Sequence, residues 1–177
     1  MEVIDLESAT AGMVSVDRAL GDLRRGDFVV IEGDRCRALI QAGEAVTAES
    51  LAALVQIGNG TTRLALTSRR ASALALAEAG LMPRAVSGVV SLPLSAVGDA
   101  EMVRGLIDPT YGRSPLLPPA LVARPEAADS CAAAAVTLSK LAQLLPAALT
   151  ATLAPEQAQP LAGVAESNAG PIGLRSA

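Results

Sequence analysis

TAESLAALVQIGNGTTRLALT, residues 47–67, contains in succession the signals of a helix, a turn and a strand. Thr47 is a favoured N-cap residue, and Glu49 follows in the first turn, where a carboxylate interacts favourably with the helix dipole. The apolar face of the helix consists of Leu51, Leu54, Val55 and Ile57. Gly58-Asn59-Gly60 predicts the end of this helix, and residues 61–67 alternate in the manner of a strand.

Helices and strands alternate on both sides of this stretch. Upstream, the patterns predict a helix at 16–25 and a hairpin with strands at 28–32 and 38–41. Downstream, they predict helices at 68–80, 99–107 and 127–145, and strands at 86–94, 121–123 and 147–153. We therefore predict an α+β fold in which helices are layered on a sheet. The arginines at 69 and 70, near a predicted helix start, are expected to lie in solvent.

The residues after Pro155 differ in character from the rest of the chain. They are small and polar, without helical or strand periodicity. We predict a folded domain at residues 1–155 and a flexible tail or linker at 156–177.

The composition argues against nucleic-acid binding. The formal net charge is -4, whereas a phosphate backbone requires a basic face. Aromatic residues make up only 1 % of the chain, so there is little surface on which bases could stack. Hydrophobic residues reach 51 %, which is ample for a core of Leu, Val, Ile and Ala. We expect no nucleic-acid partner.

The chain contains no histidine and two cysteines. The absence of histidine excludes Ser-His-Asp and Cys-His nucleophile systems and any imidazole metal site from this chain. Two cysteines are too few for the disulfide scaffold of a small secreted protein. No apolar run approaches the roughly 18 residues that a membrane span requires, and the chain starts with acidic residues. We therefore expect a cytoplasmic protein without a membrane partner.

Three segments resemble the 3,4-dihydroxy-2-butanone 4-phosphate synthase family of riboflavin biosynthesis. VDRALGDLRRGDFVVIEGDR, at 16–35, is similar to the family's first helix, first strand and the start of its acidic loop. EAVTAESLAALVQIGNGTTRLALT, at 44–67, is similar to the segment that carries the family's H-G-x-G turn. DSCAAAAVTLSKLAQLLPAALTATL, at 129–153, is similar to the segment that begins with G-H-T-E in the family. The order and separation of the three carry the resemblance.

The resemblance implies a layered α/β/α domain that works as a homodimer. Enzymes of the family convert ribulose 5-phosphate into dihydroxybutanone phosphate and formate with magnesium. Such a reaction needs carboxylates for proton transfer and a hard cation for the enediolate oxygens.

This sequence departs from the family at the positions that carry the chemistry. Asp34 and Arg35 match an Asp-Arg of the acidic loop, but the family's next residue, a metal-binding glutamate, has no counterpart, and either Cys36 or a deletion takes its place. Cys131 stands at the metal-binding histidine of G-H-T-E. The resemblance thus defines a vestigial pocket that consists of Asp34, Arg35, Cys36, Arg37, Ile57, Gly58, Gly60, Cys131 and Thr152. In this set Ile57 replaces the turn histidine, Gly58 and Gly60 are kept, and Thr152 replaces the late catalytic glutamate.

Several of these residues have more than one interpretation. Cys36 and Cys131 could face each other as a redox pair or a soft-metal site, but we favour two separate small residues that fill buried space. Arg35 and Arg37 could contact a phosphate, but we favour a solvated hairpin edge. The Gly58 to Gly60 turn could approach a ligand, but we favour a helix stop.

The sequence therefore predicts a non-catalytic domain that uses no cofactor and no metal. Its expected role is a structural or interaction module, as a homodimer or as the partner of a riboflavin-pathway enzyme, beside or fused to GTP cyclohydrolase II. A second hypothesis is a repurposed pocket that binds a small phosphorylated ligand through Arg35 or Arg37, with Asp34 as the acid-base group. A third is a scaffold unrelated to riboflavin that has kept only the fold.

Overall fold

The computed structural model describes residues 6–33, 36–76, 79–83, 88–111, 117–153 and 172–174. The helices are α1 (Leu6–Arg25), α2 (Ala48–Gly58), α3 (Ser68–Ala73), α4 (Leu94–Val97), α5 (Ala100–Ile107) and α6 (Cys131–Leu141). The strands are β1 (Val29–Gly33), β2 (Cys36–Ala42), β3 (Arg63–Thr67), β4 (Val89–Pro93), β5 (Arg124–Pro125), β6 (Ala147–Thr152) and β7 (Ile172–Leu174). A short 3₁₀ turn, Gly43–Ala45, follows β2. The described helices include none that is both long and apolar enough to cross a membrane.

The strands form one sheet in the order β5-β4-β3-β6-β2-β1-β7. Neighbouring strands are antiparallel except β1 and β7, which are parallel. The central strands β3, β6 and β2 are adjacent in space although they are distant in sequence. The sheet therefore depends on long-range pairing, and β6 holds the two halves of the chain together.

Each face of the sheet is covered by its own helices. On one face, α2 to α5 pack over a leucine-rich cluster that includes Leu54, Leu64 and Leu149. On the other face, α1 and α6 pack over a second cluster that includes Leu23, Ile40 and Ala148. Side chains of a strand alternate between faces, so each inner strand contributes to both clusters. The result is the predicted α+β fold with three layers, α/β/α.

Helix α2 begins where the sequence predicts. The Oγ1 of Thr47 accepts a hydrogen bond from the Ser50 amide (3.1 Å), and the Oγ of Ser50 accepts one from the Thr47 amide (3.0 Å). This reciprocal capping box satisfies two amides that the helix itself leaves unpaired.

Replacing Thr47 with alanine should lower the free energy of unfolding by about 1 kcal/mol, because the cap bond to Ser50 is lost. The matched control is Thr47→Ser, which keeps the hydroxyl and should stay close to the wild type. Urea denaturation of both variants measures the difference. Equal stabilities of the alanine and serine variants would show that the cap contributes nothing.

Two predicted helices are shorter than the sequence pattern indicates. α6 starts only at Cys131, because the Oγ of Ser130 caps the Ala133 amide (3.2 Å). It ends at Leu141, where Gln143 has a φ of 62° and the Leu144 amide donates to the Ser139 carbonyl. α3 ends at Ala73. Ala75, two residues later, also has a positive φ, 56°, so the chain reverses direction there as it does at Gln143. These positive φ angles lie at residues whose types do not signal a turn.

Other predicted boundaries also change. The first helix starts at Leu6, ten residues before its predicted start at residue 16. The strand predicted at 121–123 lies instead at Arg124–Pro125. Ile172–Leu174, within the range predicted as a tail or linker, pairs with β1 as strand β7. The rest of the predicted tail at 156–177 lies outside the described residues.

Arg70 is not the solvated residue that the sequence predicts. Its guanidinium is half-buried and donates hydrogen bonds to the carbonyls of Leu106 (2.7 Å), Gly105 (3.2 Å) and Asp108 (3.1 Å). Burial lowers its pKa, and the nearby Asp108 carboxylate opposes that shift. Arg70 thus satisfies the free carbonyls at the end of α5 and joins α3 to α5.

Candidate functional site

The two cysteines of the chain form a disulfide bond. Cys36, the first residue of β2, is joined to Cys131, the first residue of α6, across a sequence separation of 95 and a Cα–Cα distance of 5.9 Å. The favoured prediction of two separate buried thiols is therefore wrong. The pair meets because Cys36 shares a sheet face with Ala38 and Ile40, and α6 packs across that face. The interpretation as a facing pair, which we did not favour, has the correct geometry.

Thr152 lies on the same face and at the same end of the sheet as the disulfide. It ends β6 and pairs with Ala38, two residues after Cys36. Its amide donates to the Oγ1 of Thr61 (3.2 Å), and that hydroxyl donates to the Gly58 carbonyl (2.6 Å). Thr61 thereby connects the end of β6 to the turn that closes α2.

Gly58 and Gly60 have structural reasons for being glycine. A Cβ on Gly58 would lie 2.2 Å from the Oγ1 of Thr62 and 3.1 Å from the Cβ of Ala151. Gly60 has a φ of 88° and open space around it. The favoured interpretation of this segment as a helix stop and tight turn agrees with this geometry.

Two other residues predicted for the pocket, Ile57 and Arg37, do not join this group. Ile57 packs against the core on the opposite face of the sheet. Arg37 also points to that opposite face, because it alternates with Cys36 along β2. It lies half-buried inside the sheet and not at a solvated edge, and its Nε has no hydrogen-bond partner among the described residues. Asp34 and Arg35 lie outside the described residues, so neither their acid-base role nor their phosphate contact is tested.

A charged network on the α6 face was not predicted from the sequence. Arg63, at the start of β3, donates from its Nε to the Oγ of the fully buried Ser91 (2.6 Å) and from Nη2 to the Ser91 carbonyl (3.1 Å). The Ser91 hydroxyl in turn donates to the carboxylate of Glu126. Burial lowers the pKa of Arg63, and the nearby Arg124 lowers it further, whereas Glu126 opposes the shift. Arg63 remains a cation, since guanidinium groups stay protonated in proteins.

The network fixes the connection that leads into α6. Glu126 precedes the helix, and its amide donates to the Val89 carbonyl of β4 (2.9 Å). One sequence signal could have revealed the Arg63 network. Arg63 lies within the alternating strand TTRLALT, on the same side as the small Ala65. Arg63, Ser91 and Glu126 are linked by hydrogen bonds to one another. The network therefore stabilises the fold and leaves no free acid-base group within it.

Comparison with known proteins yields two sequence relatives and a set of similar structures. No protein-family model matches the chain. The chain is 37 % identical over 142 residues to GTP cyclohydrolase-2 of Azospirillum brasilense, a match that covers 80 % of this chain and 35 % of that protein. It is 38 % identical over 61 residues to a probable bifunctional riboflavin biosynthesis protein, RIBA 1, chloroplastic, of Oryza sativa subsp. japonica. That match covers 32 % of this chain and 11 % of the rice protein, so the chain spans only a minor part of either relative.

Dihydroxybutanone phosphate synthases are among the similar structures. RibBX, a two-domain 3,4-dihydroxy-2-butanone 4-phosphate synthase from A. baumannii, superposes with a TM-score of 0.61 at 16 % identity, covering 80 % of this chain and 48 % of RibBX. The synthase of Candida albicans gives 0.60 at 23 % identity, with 80 % and 81 % covered. A synthase in complex with two magnesium ions gives 0.56 at 24 % identity, with 85 % and 80 % covered. This chain has the dihydroxybutanone phosphate synthase fold.

The two cysteines that lie at or near the metal-ligand positions of the resemblance do not fit a magnesium site. Magnesium requires oxygen ligands in near-octahedral geometry. At the two positions that the resemblance assigns to metal ligands, Cys36 and Cys131 are bonded to each other. Within the described part of the chain, no group of three or more Asp, Glu, Cys or His side chains could hold a metal ion. The chain also has no histidine to supply.

Proposed function

We propose that this chain is a degenerate, non-catalytic dihydroxybutanone phosphate synthase domain that serves as a structural or interaction module in riboflavin biosynthesis. The observation that carries the proposal is the Cys36–Cys131 disulfide. By the resemblance, it lies at or near the two positions where an active synthase holds its metal. A covalent bond between these side chains leaves neither of them able to coordinate a hard cation.

The remaining chemistry at this site supports the same conclusion. Thr152 stands where the resemblance places a catalytic glutamate, and a neutral hydroxyl is a poor general base near neutral pH. Glu126, the carboxylate of the network on this face, is engaged by the Ser91 hydroxyl and faces Arg63. Neither Thr152 nor Glu126 therefore offers a free carboxylate at this site.

The link to riboflavin biosynthesis rests on the fold and on the two relatives. Both relatives carry names from this pathway, GTP cyclohydrolase-2 and a bifunctional riboflavin biosynthesis protein. Because the match covers only 35 % of the Azospirillum protein, we propose that this chain corresponds to a synthase-like module that works beside, or fused to, a GTP cyclohydrolase II. We further propose that the module forms a homodimer, as the resemblance to the synthases implies.

The first test is a thermal-shift and turnover experiment with ribulose 5-phosphate, with and without Mg²⁺. We expect no formate release and no ligand-dependent change in melting temperature. A functional pocket at about 100 times its Kd would add about 2.7 kcal/mol of stability, a readily visible shift. An active synthase of the same fold serves as the positive control. A magnesium-dependent shift, or turnover, would overturn the non-catalytic assignment.

The module role is tested separately by association. Size-exclusion chromatography with light scattering should give the mass of a dimer for the purified chain. Mixing with a purified GTP cyclohydrolase II should give a complex that elutes earlier than either component, and an unrelated protein of similar charge is the control. A monomer that forms no complex would contradict the interaction role, even if the turnover assay confirms the lack of catalysis.

A further inference from the structure

The Cys36–Cys131 bond is attached to the end of the β1–β2 hairpin, where β2 extends past its pairing with β6 although β1 still pairs with β7. β2 pairs with β6 only from Ala38 onward, and the last hydrogen bond between them runs from the Leu153 amide to the Arg37 carbonyl (2.9 Å). Cys36 and its partner Gly33 in β1 therefore project beyond the end of β6. We call these two residues the hairpin end. The disulfide joins the hairpin end covalently to the first residue of α6.

The two sulfur atoms differ in accessibility and in electrostatic environment. Cys131 is 7 % exposed and lies at the N-terminus of α6, where the helix dipole stabilises negative charge. Cys36 is more exposed than Cys131 and belongs to a strand, so its own backbone provides no helix dipole. An attacking thiolate therefore reaches Cys36 more easily, and the sulfur of Cys131 is the better leaving group, which accelerates exchange.

We propose that the Cys36–Cys131 pair is a redox switch that holds the hairpin end against α6 when oxidised and releases it when reduced. This role does not depend on whether the domain is catalytic. In a reducing compartment, such as the cytoplasm that the sequence predicts, disulfides are usually transient or redox-sensing and not permanent structural bonds. A pair at the junction of a hairpin end and a helix start gives the domain two conformational states.

The chemistry is thiol–disulfide exchange with a dithiol reductant. One thiolate of the reductant attacks the Sγ of Cys36, the bond between the two cysteine sulfurs breaks, and Cys131 leaves as a thiolate. The second thiolate of the reductant then attacks the reductant's first sulfur, which is bonded to Cys36 in the mixed disulfide. This closes the reductant's disulfide and displaces the Cys36 thiolate. The reductant is oxidised to its disulfide by two electrons, and the two cysteines take up those electrons and two protons.

The test uses the full native chain in a series of reduced and oxidised dithiothreitol mixtures without denaturant. Thiols are blocked with N-ethylmaleimide and counted by mass spectrometry. We expect both cysteines to become reactive together, as a single two-electron couple. Persistence of the bond in excess reductant until denaturant is added would overturn the proposal, because the disulfide would then be a fixed structural crosslink.

Hydrogen exchange measures whether the bond controls conformation. On reduction, amides of residues 36–37 and of the first turn of α6 should exchange faster by about tenfold or more, whereas those of β3 should not change. The melting temperature should fall by roughly 10 °C, because a long loop loses its crosslink. Unchanged exchange in the reduced protein would overturn the switch.

Two controls separate the switch from general destabilisation. The double variant Cys36→Ser/Cys131→Ser should exchange like the reduced wild type and should not respond to dithiothreitol. Glutathione trapping should place the mixed disulfide on Cys36. A mixed disulfide found on Cys131 instead would contradict the proposed order of attack. Hydrogen exchange of the oxidised and the reduced wild type decides by itself whether the bond controls conformation. The test therefore holds even if the double variant folds poorly.

Discussion

Replacing Leu64 with alanine should lower the free energy of unfolding by about 2–5 kcal/mol. Leu64, the second residue of β3, is fully buried and pairs across the sheet with Leu92 of β4 and Leu149 of β6, which are also fully buried. The three side chains form a continuous leucine row under α2 to α5. Truncation of the middle leucine removes contacts on both sides and leaves a cavity that two flanking strands cannot close.

The composition of the core makes this cost hard to offset. The chain has no tryptophan, and its one phenylalanine, Phe28, is only partly buried against the same cluster, so aromatic side chains contribute little to refilling a vacated volume. The neighbours are leucines held in a sheet ladder, whose backbone cannot shift without breaking strand pairing. We therefore expect a value in the upper half of the range.

Urea denaturation followed by circular dichroism measures the effect. The matched control is Leu141→Ala, because Leu141 is 56 % exposed at the end of α6. Its loss should change the stability by less than about 0.5 kcal/mol. Similar losses for the two variants would show that the row on β3 is not the core that holds the layers together.

Local signals in the sequence account for most of the correctly predicted elements. Thr47 marks the start of α2, and Pro146 separates α6 from β6, because N-caps and prolines act within a few residues. The stretch at 147–153 reads as extended and forms β6. The α+β layered fold follows from the alternation of such elements, which the sequence shows directly.

The features that the sequence does not predict arise from contacts between distant residues. The Cys36–Cys131 bond spans 95 positions, so its formation depends on how α6 crosses the sheet. Arg70 looks solvated in sequence because its acceptors are carbonyls at the end of α5, far along the chain. Ser91 gives no sequence signal for its place between Arg63 and Glu126. Such groups can be recognised only after the strand order is known.

The disulfide also changes how the vestigial pocket is understood. The resemblance accounts for Cys36 and Cys131 as substitutions that each remove a metal ligand. In the proposed non-catalytic domain the two substitutions act together, since either cysteine alone would leave a single thiol and no crosslink. A covalent link now connects β2 and α6 at the site where the resemblance places a shared metal ion. The scaffold can therefore keep its geometry without the ligand that an active enzyme needs.

Replacing Gly58 with alanine should lower the free energy of unfolding by about 2–4 kcal/mol, through overpacking and loss of one buried hydrogen bond. The new Cβ would lie 2.2 Å from the Oγ1 of Thr62, a distance that no real contact allows. Thr62 cannot turn away without cost, because its hydroxyl donates to the Leu54 carbonyl (2.9 Å) and the side chain is buried. On the other side, Ala151 of β6 is 3.1 Å away.

The control is Gly60→Ala, two residues later in the same turn. Gly60 has open space around it, so only its φ of 88° opposes a side chain, at a cost of about 1 kcal/mol. Thr62→Ala removes the clashing hydroxyl, and the double variant Gly58→Ala/Thr62→Ala should therefore be more stable than the sum of the single losses predicts. Denaturation of all four variants completes the cycle. If Gly58→Ala costs no more than Gly60→Ala, packing does not explain why position 58 is a glycine. The interpretation of this turn as a place where a ligand approaches bare backbone would then become the stronger one.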